Sequence, residues 1–144
     1  MTVIRAQSDI DAPLSRVWDV LVDIPRYAEW NPFTPRIDTT LEVGSPVVLH
    51  VQMKPTGARI VQTEYVRVVE KEHELSWGMT MGAPFVLRAL RRQVLTPLSE
   101  TRTRYETSDA FHGLLVPVVM GLYRVHIQRG FDDVARALKA RCEA

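Results

Sequence analysis

The feature that most constrains this chain is a long amphipathic helix at its C-terminal end, following an unbroken block of strand patterning. Tyr123, Ile127, Phe131, Val134, Leu138 and Cys142 recur at intervals of three or four, which puts all six on one helical face. The spacing predicts a helix from about Pro117 to Cys142, roughly 39 Å long at the usual rise and able to cross a small domain. Between residues 34 and 111 the apolar period is two instead. One long helix must therefore face one sheet.

The strands are read from alternation and from the turns that interrupt it. Residues 2 to 10 alternate loosely and suit a first strand. Asp11-Ala12-Pro13 then opens a short helix carrying Leu14, Val17, Trp18 and Leu21, broken at Ile24-Pro25. A second helical turn through Arg26, Tyr27 and Ala28 delivers Trp30, Asn31, Pro32 and Phe33. That group either plugs the end of the core or forms the rim of a pocket. Six strands follow, over about 37–43, 47–53, 60–70, 75–81, 85–96 and 101–111, punctuated by Gly44-Ser45-Pro46, Lys54 to Gly57, Glu70 to Glu74, Gly82-Ala83-Pro84 and Pro97-Leu98-Ser99. Every connection is short, so the sheet is expected to be an antiparallel meander.

Register can be estimated because paired residues share a face. Matching apolar faces puts Trp77 opposite Ala89, Met79 opposite Leu87 and Leu75 opposite Arg91. The next hairpin puts Gln93 opposite Tyr105, Arg91 opposite Thr107 and Ala89 opposite Asp109. Across the Glu72 turn, Val66 falls opposite Trp77, Glu64 opposite Met79 and Gln62 opposite Met81. The inner face is then apolar at Val66, Val68, Leu75, Trp77, Met79, Leu87 and Leu95, and polar at Gln62, Glu64, Arg91, Gln93, Tyr105, Thr107 and Asp109. A solid core does not normally accept unpaired Arg, Glu and Asp. Either these groups border a wet cavity, the usual form of a small-molecule site, or Arg91 snorkels to the sheet edge and Asp109 caps a turn near Gly113.

Charge and composition exclude several classes. The 144 residues carry a net charge of +1, which gives no general attraction to nucleic acid or anionic membrane, and the length suits one domain over 1–144. Cys142 is the only cysteine, so no disulfide framework exists. The longest apolar run, Leu114 to Tyr123, contains Pro117 and is too short to span a bilayer. Arg5 and Asp9 interrupt any signal peptide core. A cytoplasmic location is the expectation.

Ile10-Asp11-Ala12-Pro13, Val17-Trp18, Leu21, Asp23 and Trp30-Asn31-Pro32-Phe33 resemble the opening of the START-related, polyketide cyclase-like and Bet v 1-like superfamily (SRPBCC). Leu75-Ser76-Trp77-Gly78, Thr103 to Asp109, Phe111-His112-Gly113-Leu114-Leu115, and Phe131 with Leu138-Lys139 resemble its middle and end. The resemblance implies an α+β helix-grip fold: a seven-stranded antiparallel sheet wrapped around the long C-terminal helix, two short helices after strand 1, and an internal cavity. It implies a hydrophobic ligand such as a lipid, sterol, polyketide, hormone or quinone, and in some members cyclisation or dehydration of polyketides. Two departures count against carrying an activity over. Relatives with this Phe-x-Gly-Leu-Leu ending often have Glu where this chain has Asp109, and many have His or an aromatic residue at the positions of Arg91 and Gln93.

No Gly-rich phosphate loop or nucleophile elbow is present, and His50, His73, His112 and His126 lack metal-ligand spacing. No metal or other cofactor is expected. The first functional reading is a protein that binds a hydrophobic or amphipathic small molecule, without nucleic acid or membrane insertion, as monomer or homodimer. Its expected contacts are Trp30, Asn31 and Phe33 at the mouth, Glu64, Val66, Trp77, Met79, Leu87, Gln93 and Thr107 on the sheet, and Tyr123, Ile127 and Phe131 on the helix. The second is a cofactor-free cyclase or dehydratase. There Arg91 and Tyr105 would hold an enolate oxygen, and Asp109 or Glu64 would move the proton. His126, at the edge of the helical stripe, is a further candidate or simply a surface residue. A third reading, a client-binding protein, requires a filled core and an exposed apolar patch.

Overall fold

A computed structural model describes residues 1–144. Strand β1 (Thr2–Ile10) is followed by helix α1 (Leu14–Val22), a 3-10 helix (Ile24–Glu29), strands β2 (Arg36–Asp38), β3 (Pro46–Val51), β4 (Ile60–Glu70), β5 (Glu74–Met81), β6 (Leu87–Ser99) and β7 (Arg102–His112), and helix α2 (Val116–Glu143). The seven strands form one antiparallel sheet in the order β1-β7-β6-β5-β4-β3-β2. The meander runs from β2 to β7, and β1 closes it beside β7. This is the α+β helix-grip arrangement. No helix is long and apolar enough to cross a membrane.

Helix α2 lies on β1, β7 and α1 and stands off the middle strands. Polar contacts fix it there: Ser8 Oγ donates to the Ala135 carbonyl (2.8 Å), Lys139 Nζ to that of Asp9 (2.7 Å) and Gln128 Nε2 to that of Arg5 (2.8 Å). Its predicted stripe is buried at Ile127, Phe131, Val134, Leu138 and Cys142. The C-terminal half of that stripe shares a solid core with Val17, Trp18, Leu21, Ile24 and Tyr27. The N-terminal half faces a hollow. At Gly130 an added Cβ would lie 2.2 Å from Phe33 Cδ1, so the missing side chain is what lets the Phe33 ring seat against the helix. Gly121 is open on all sides, and its position has no such purpose.

Three expectations about the strands are corrected. The alternation over 37–43 yields a strand only at Arg36–Asp38. Beyond it the Leu41 N–H donates to Thr39 Oγ1 (3.1 Å) and Leu41 takes φ +59°, a local turn that competes with the ladder. On β4 a bulge between Val66 and Val68 pairs Val68 with Ser76 and Val69 with Leu75. The inserted residue reverses the faces beyond it, so Val69, not Val68, joins the core. The pairings β5–β6 and β6–β7 are each displaced by two residues: Trp77 lies opposite Arg91, Met79 opposite Ala89, Leu75 opposite Gln93, Arg91 opposite Asp109 and Gln93 opposite Thr107. A slip of two preserves the face, because side chains alternate with period two. The Val66–Trp77 pair is as expected.

Candidate functional site

The hollow under α2 is a cavity of about 300 Å³. The period-two pattern projects Glu64 from β4, Trp77, Met79 and Met81 from β5, Leu87, Ala89 and Arg91 from β6, and Asp109 and Phe111 from β7. Helix α2 contributes Val119, Tyr123, Ile127 and Phe131 at helical spacing, and Phe33 and Thr34 close one end. Ile60 and Met81 are exposed, and Met53, Val119 and Tyr123 partly so, so the opening lies between the start of α2 and the ends of β4 and β5. Phe33 meets Phe131 edge to face, with centroids 6.0 Å apart.

The walls are mostly apolar, and the polar groups among them are poorly satisfied. Arg91 is 5% exposed. Its Nε donates to Thr107 Oγ1 (3.2 Å), and its guanidinium carbon lies 4.3 Å from the centre of the Phe131 ring, a cation–π placement. Burial pushes the Asp109 carboxyl up to about 7, with Arg91 opposing, and Asp109 Oδ1 is sealed without a hydrogen-bond partner. Glu64 is pushed up to about 8, first by burial and then by Asp109, against Arg91 and Arg67. Gln62 Nε2 donates to Glu64 Oε2 (3.4 Å), whereas Glu64 Oε1 and Trp77 Nε1 are buried with no partner. Three orphaned polar atoms on one cavity are unusual, because buried polar groups in native proteins are nearly always paired.

Of the residues expected to meet a ligand, the cavity brings together Phe33, Glu64, Trp77, Met79, Leu87, Arg91, Asp109, Tyr123, Ile127 and Phe131. Six lie elsewhere. Trp30 stacks edge-on against Tyr27 at 4.9 Å, at the solid end of the core. Asn31 Oδ1 accepts from the Phe33 and Thr34 N–H groups (3.1 and 2.9 Å), a turn role. The four-residue stretch thus combines both expected roles, plugging at Trp30 and lining at Phe33. Val66 is packed in the core. Tyr105 and Gln93 sit deeper, where the Tyr105 hydroxyl donates to Gln93 Oε1 (2.6 Å), and Thr107 is occupied by Arg91. The displacement moves β6 alone: it carries Arg91 level with Trp77 and Asp109 and Gln93 level with Leu75 and Thr107, while β7 keeps its expected level against β5. Burial raises the Tyr105 phenol above its ordinary value.

Leu49, Val51 and Met53, with Ile60 and Gln62, also line the space. Their signal lay in the alternation of β3: once Glu64 faces inward, the observed pairs Val47–Glu64, Leu49–Gln62 and Val51–Ile60 carry the face onto that strand. The histidines are off the cavity. His50 Nε2 lies 3.2 Å from Asp38 Oδ2, and His126 Nδ1 lies 3.4 Å from Arg129 Nη2. No three His, Cys, Asp or Glu side chains come together as metal ligands.

An apolar chamber between a curled antiparallel sheet and a C-terminal helix, with a few inward polar groups, defines the class of helix-grip proteins. Residues 1–143 match the family model "Polyketide cyclase / dehydrase and lipid transport", and the chain belongs to that family. No curated protein matches the sequence. Among solved structures, the Zhui aromatase/cyclase from Streptomyces superposes with TM-score 0.79 at 18% identity, covering 99% of this chain and 93% of that one. A norcoclaurine synthase point mutant from Thalictrum, solved with a transition-state analogue, gives 0.69 at 14% identity over 98% and 93%. The di-domain ARO/CYC protein BexL gives 0.74 at 14% identity, covering 97% of this chain and 46% of BexL. At these identities the likeness is one of fold.

Proposed function

We propose that this protein binds one small amphipathic molecule in the cavity under α2, its apolar body against Met79, Leu87, Ile127 and Phe131 and its polar end toward Arg91, Asp109, Glu64 and Trp77. The observation that carries this reading is the coincidence of an apolar chamber with three sealed, unpartnered polar atoms on its wall. The volume matches about ten waters' worth of liquid space, at the small end of ligand pockets. Family membership supports a hydrophobic ligand. Native mass spectrometry of freshly purified protein is expected to find a co-purifying ligand, and Ala89→Trp, which fills the chamber, to lose it. Retention of the ligand by a folded Ala89→Trp protein would refute this assignment.

A second reading, cofactor-free cyclisation or dehydration, is favoured by one feature. Asp109 at about 7 and Glu64 at about 8 each exchange a proton near neutral pH, as a general acid or base must. In that role Asp109 moves the proton, and Arg91, beside it across the strands, steadies the developing oxyanion. Tyr105, bonded to Gln93 behind the wall, supports the deeper packing. Asp109→Asn would then abolish turnover while still binding product, whereas in a carrier it would change affinity alone.

A further inference from the structure

We infer that the molecule held in this cavity carries a protonated amine, seated between the carboxyl groups of Asp109 and Glu64. The inference rests on the small-molecule reading above and adds the chemistry of the head group. Asp109 Oδ1 and Glu64 Oε1 are acceptors left without a donor in the protein, on two side chains that line the cavity. They project from β7 and β4, which the sheet separates by β6 and β5, so they reach the same chamber from different sides of its curved wall.

The resident cation does not satisfy them. Arg91 directs Nε to Thr107 and lays its guanidinium on Phe131, forming no ion pair with either acid. The chamber therefore holds two carboxyl groups against one guanidinium. A ligand carboxylate would add a third acid, and an alcohol would offer a single donor. An ammonium group offers up to three donors and a positive charge, and charged hydrogen bonds of this kind are about twice as strong as neutral ones.

The rest of the wall suits the same group. Phe33, Trp77, Phe111, Tyr123 and Phe131 present aromatic rings to the cavity, and ring faces attract cations, the more so when water is excluded. Burial holds both acids above their ordinary range, and a bound ammonium restores their ionised form by supplying the missing counter-charge. Trp77 Nε1 remains for an oxygen acceptor elsewhere on the ligand.

Octylamine, octanol and octanoate share one tail and fit the available volume. Isothermal titration at neutral pH should give octylamine at least about tenfold tighter than octanoate, a difference of about 1.4 kcal/mol. In the Glu64→Gln, Asp109→Asn double variant, checked for folding by circular dichroism, that ratio should fall to one or below, because Arg91 is then the remaining charge. Octanoate equal to or tighter than octylamine, or a preference that survives in the folded double variant, would overturn the amine assignment and leave the binding reading standing. If none of the three probes binds while the protein is folded, the binding reading fails as well, and the amine assignment with it.

Discussion

Glu64→Gln is the sharpest perturbation of the cavity's electrostatics. Glu64 is 7% exposed, and its carboxyl is raised from 4.5 to about 8, mainly by burial. Between the unfolded and folded values the native protein keeps a proton that the unfolded chain has released. Stability therefore falls as pH rises through that window, from about 4.5 to about 8. At 1.36 kcal/mol per pH unit the full gap corresponds to at most about 5 kcal/mol. Water entering at the mouth and relaxation around the acid reduce it, and about 2–3 kcal/mol is the expected effect. Glutamine keeps the shape and never ionises. The variant should match the wild type near pH 5, where Glu64 is protonated, and exceed it by about 2–3 kcal/mol near pH 9. Urea unfolding at the two pH values measures this, because a slope of about 1–3 kcal/mol per molar turns the difference into a midpoint shift of about 0.7–3 M. Parallel pH profiles for the two proteins would refute the reasoning, since they would mean that Glu64 ionises in the folded state as readily as in the unfolded one.

Two further perturbations probe the packing and the charge balance. Gly130→Ala must displace the Phe33 ring, which lies 2.2 Å from the new Cβ. Overpacking of about 1–3 kcal/mol should outweigh the helical gain of about 1 kcal/mol, whereas Gly121→Ala, with nothing within 4 Å, should stabilise by about 1 kcal/mol; thermal melts giving both variants the same sign would count against this account of Gly130. Arg91→Met removes the charge that holds Glu64 and Asp109 down, so carboxyl titrations followed by NMR should move both upward, and unchanged titrations would place Arg91 electrically apart from them.

Much of the fold was legible because its signals are local. The six-residue stripe on α2, the period-two runs and the Gly and Pro turns each depend on residues close in sequence, and each predicted its element to within a few positions, β2 excepted. There a Thr39 hydroxyl supplied a competing turn that hydrophobic alternation does not encode. The face of the sheet carrying Glu64, Trp77, Met79, Leu87, Arg91 and Asp109 was legible for a related reason: a pairing error of two residues leaves every side chain on the same face.

The depth of each residue along that face was not legible. The same displacement that preserved the face decided that Asp109, and not Thr107, is the cross-strand partner of Arg91, and that Leu95, and not Gln93, lies opposite Tyr105. Sequence alone determined that a long amphipathic helix would cover a sheet with charges on its inner face. The tertiary structure decided that only the N-terminal half of α2 stands over a hollow, and that Glu64, Trp77 and Asp109 each leave one polar atom unpaired there. Desolvation and hydrogen-bond satisfaction depend on what distant segments bring to one place, and no local pattern in the chain records that.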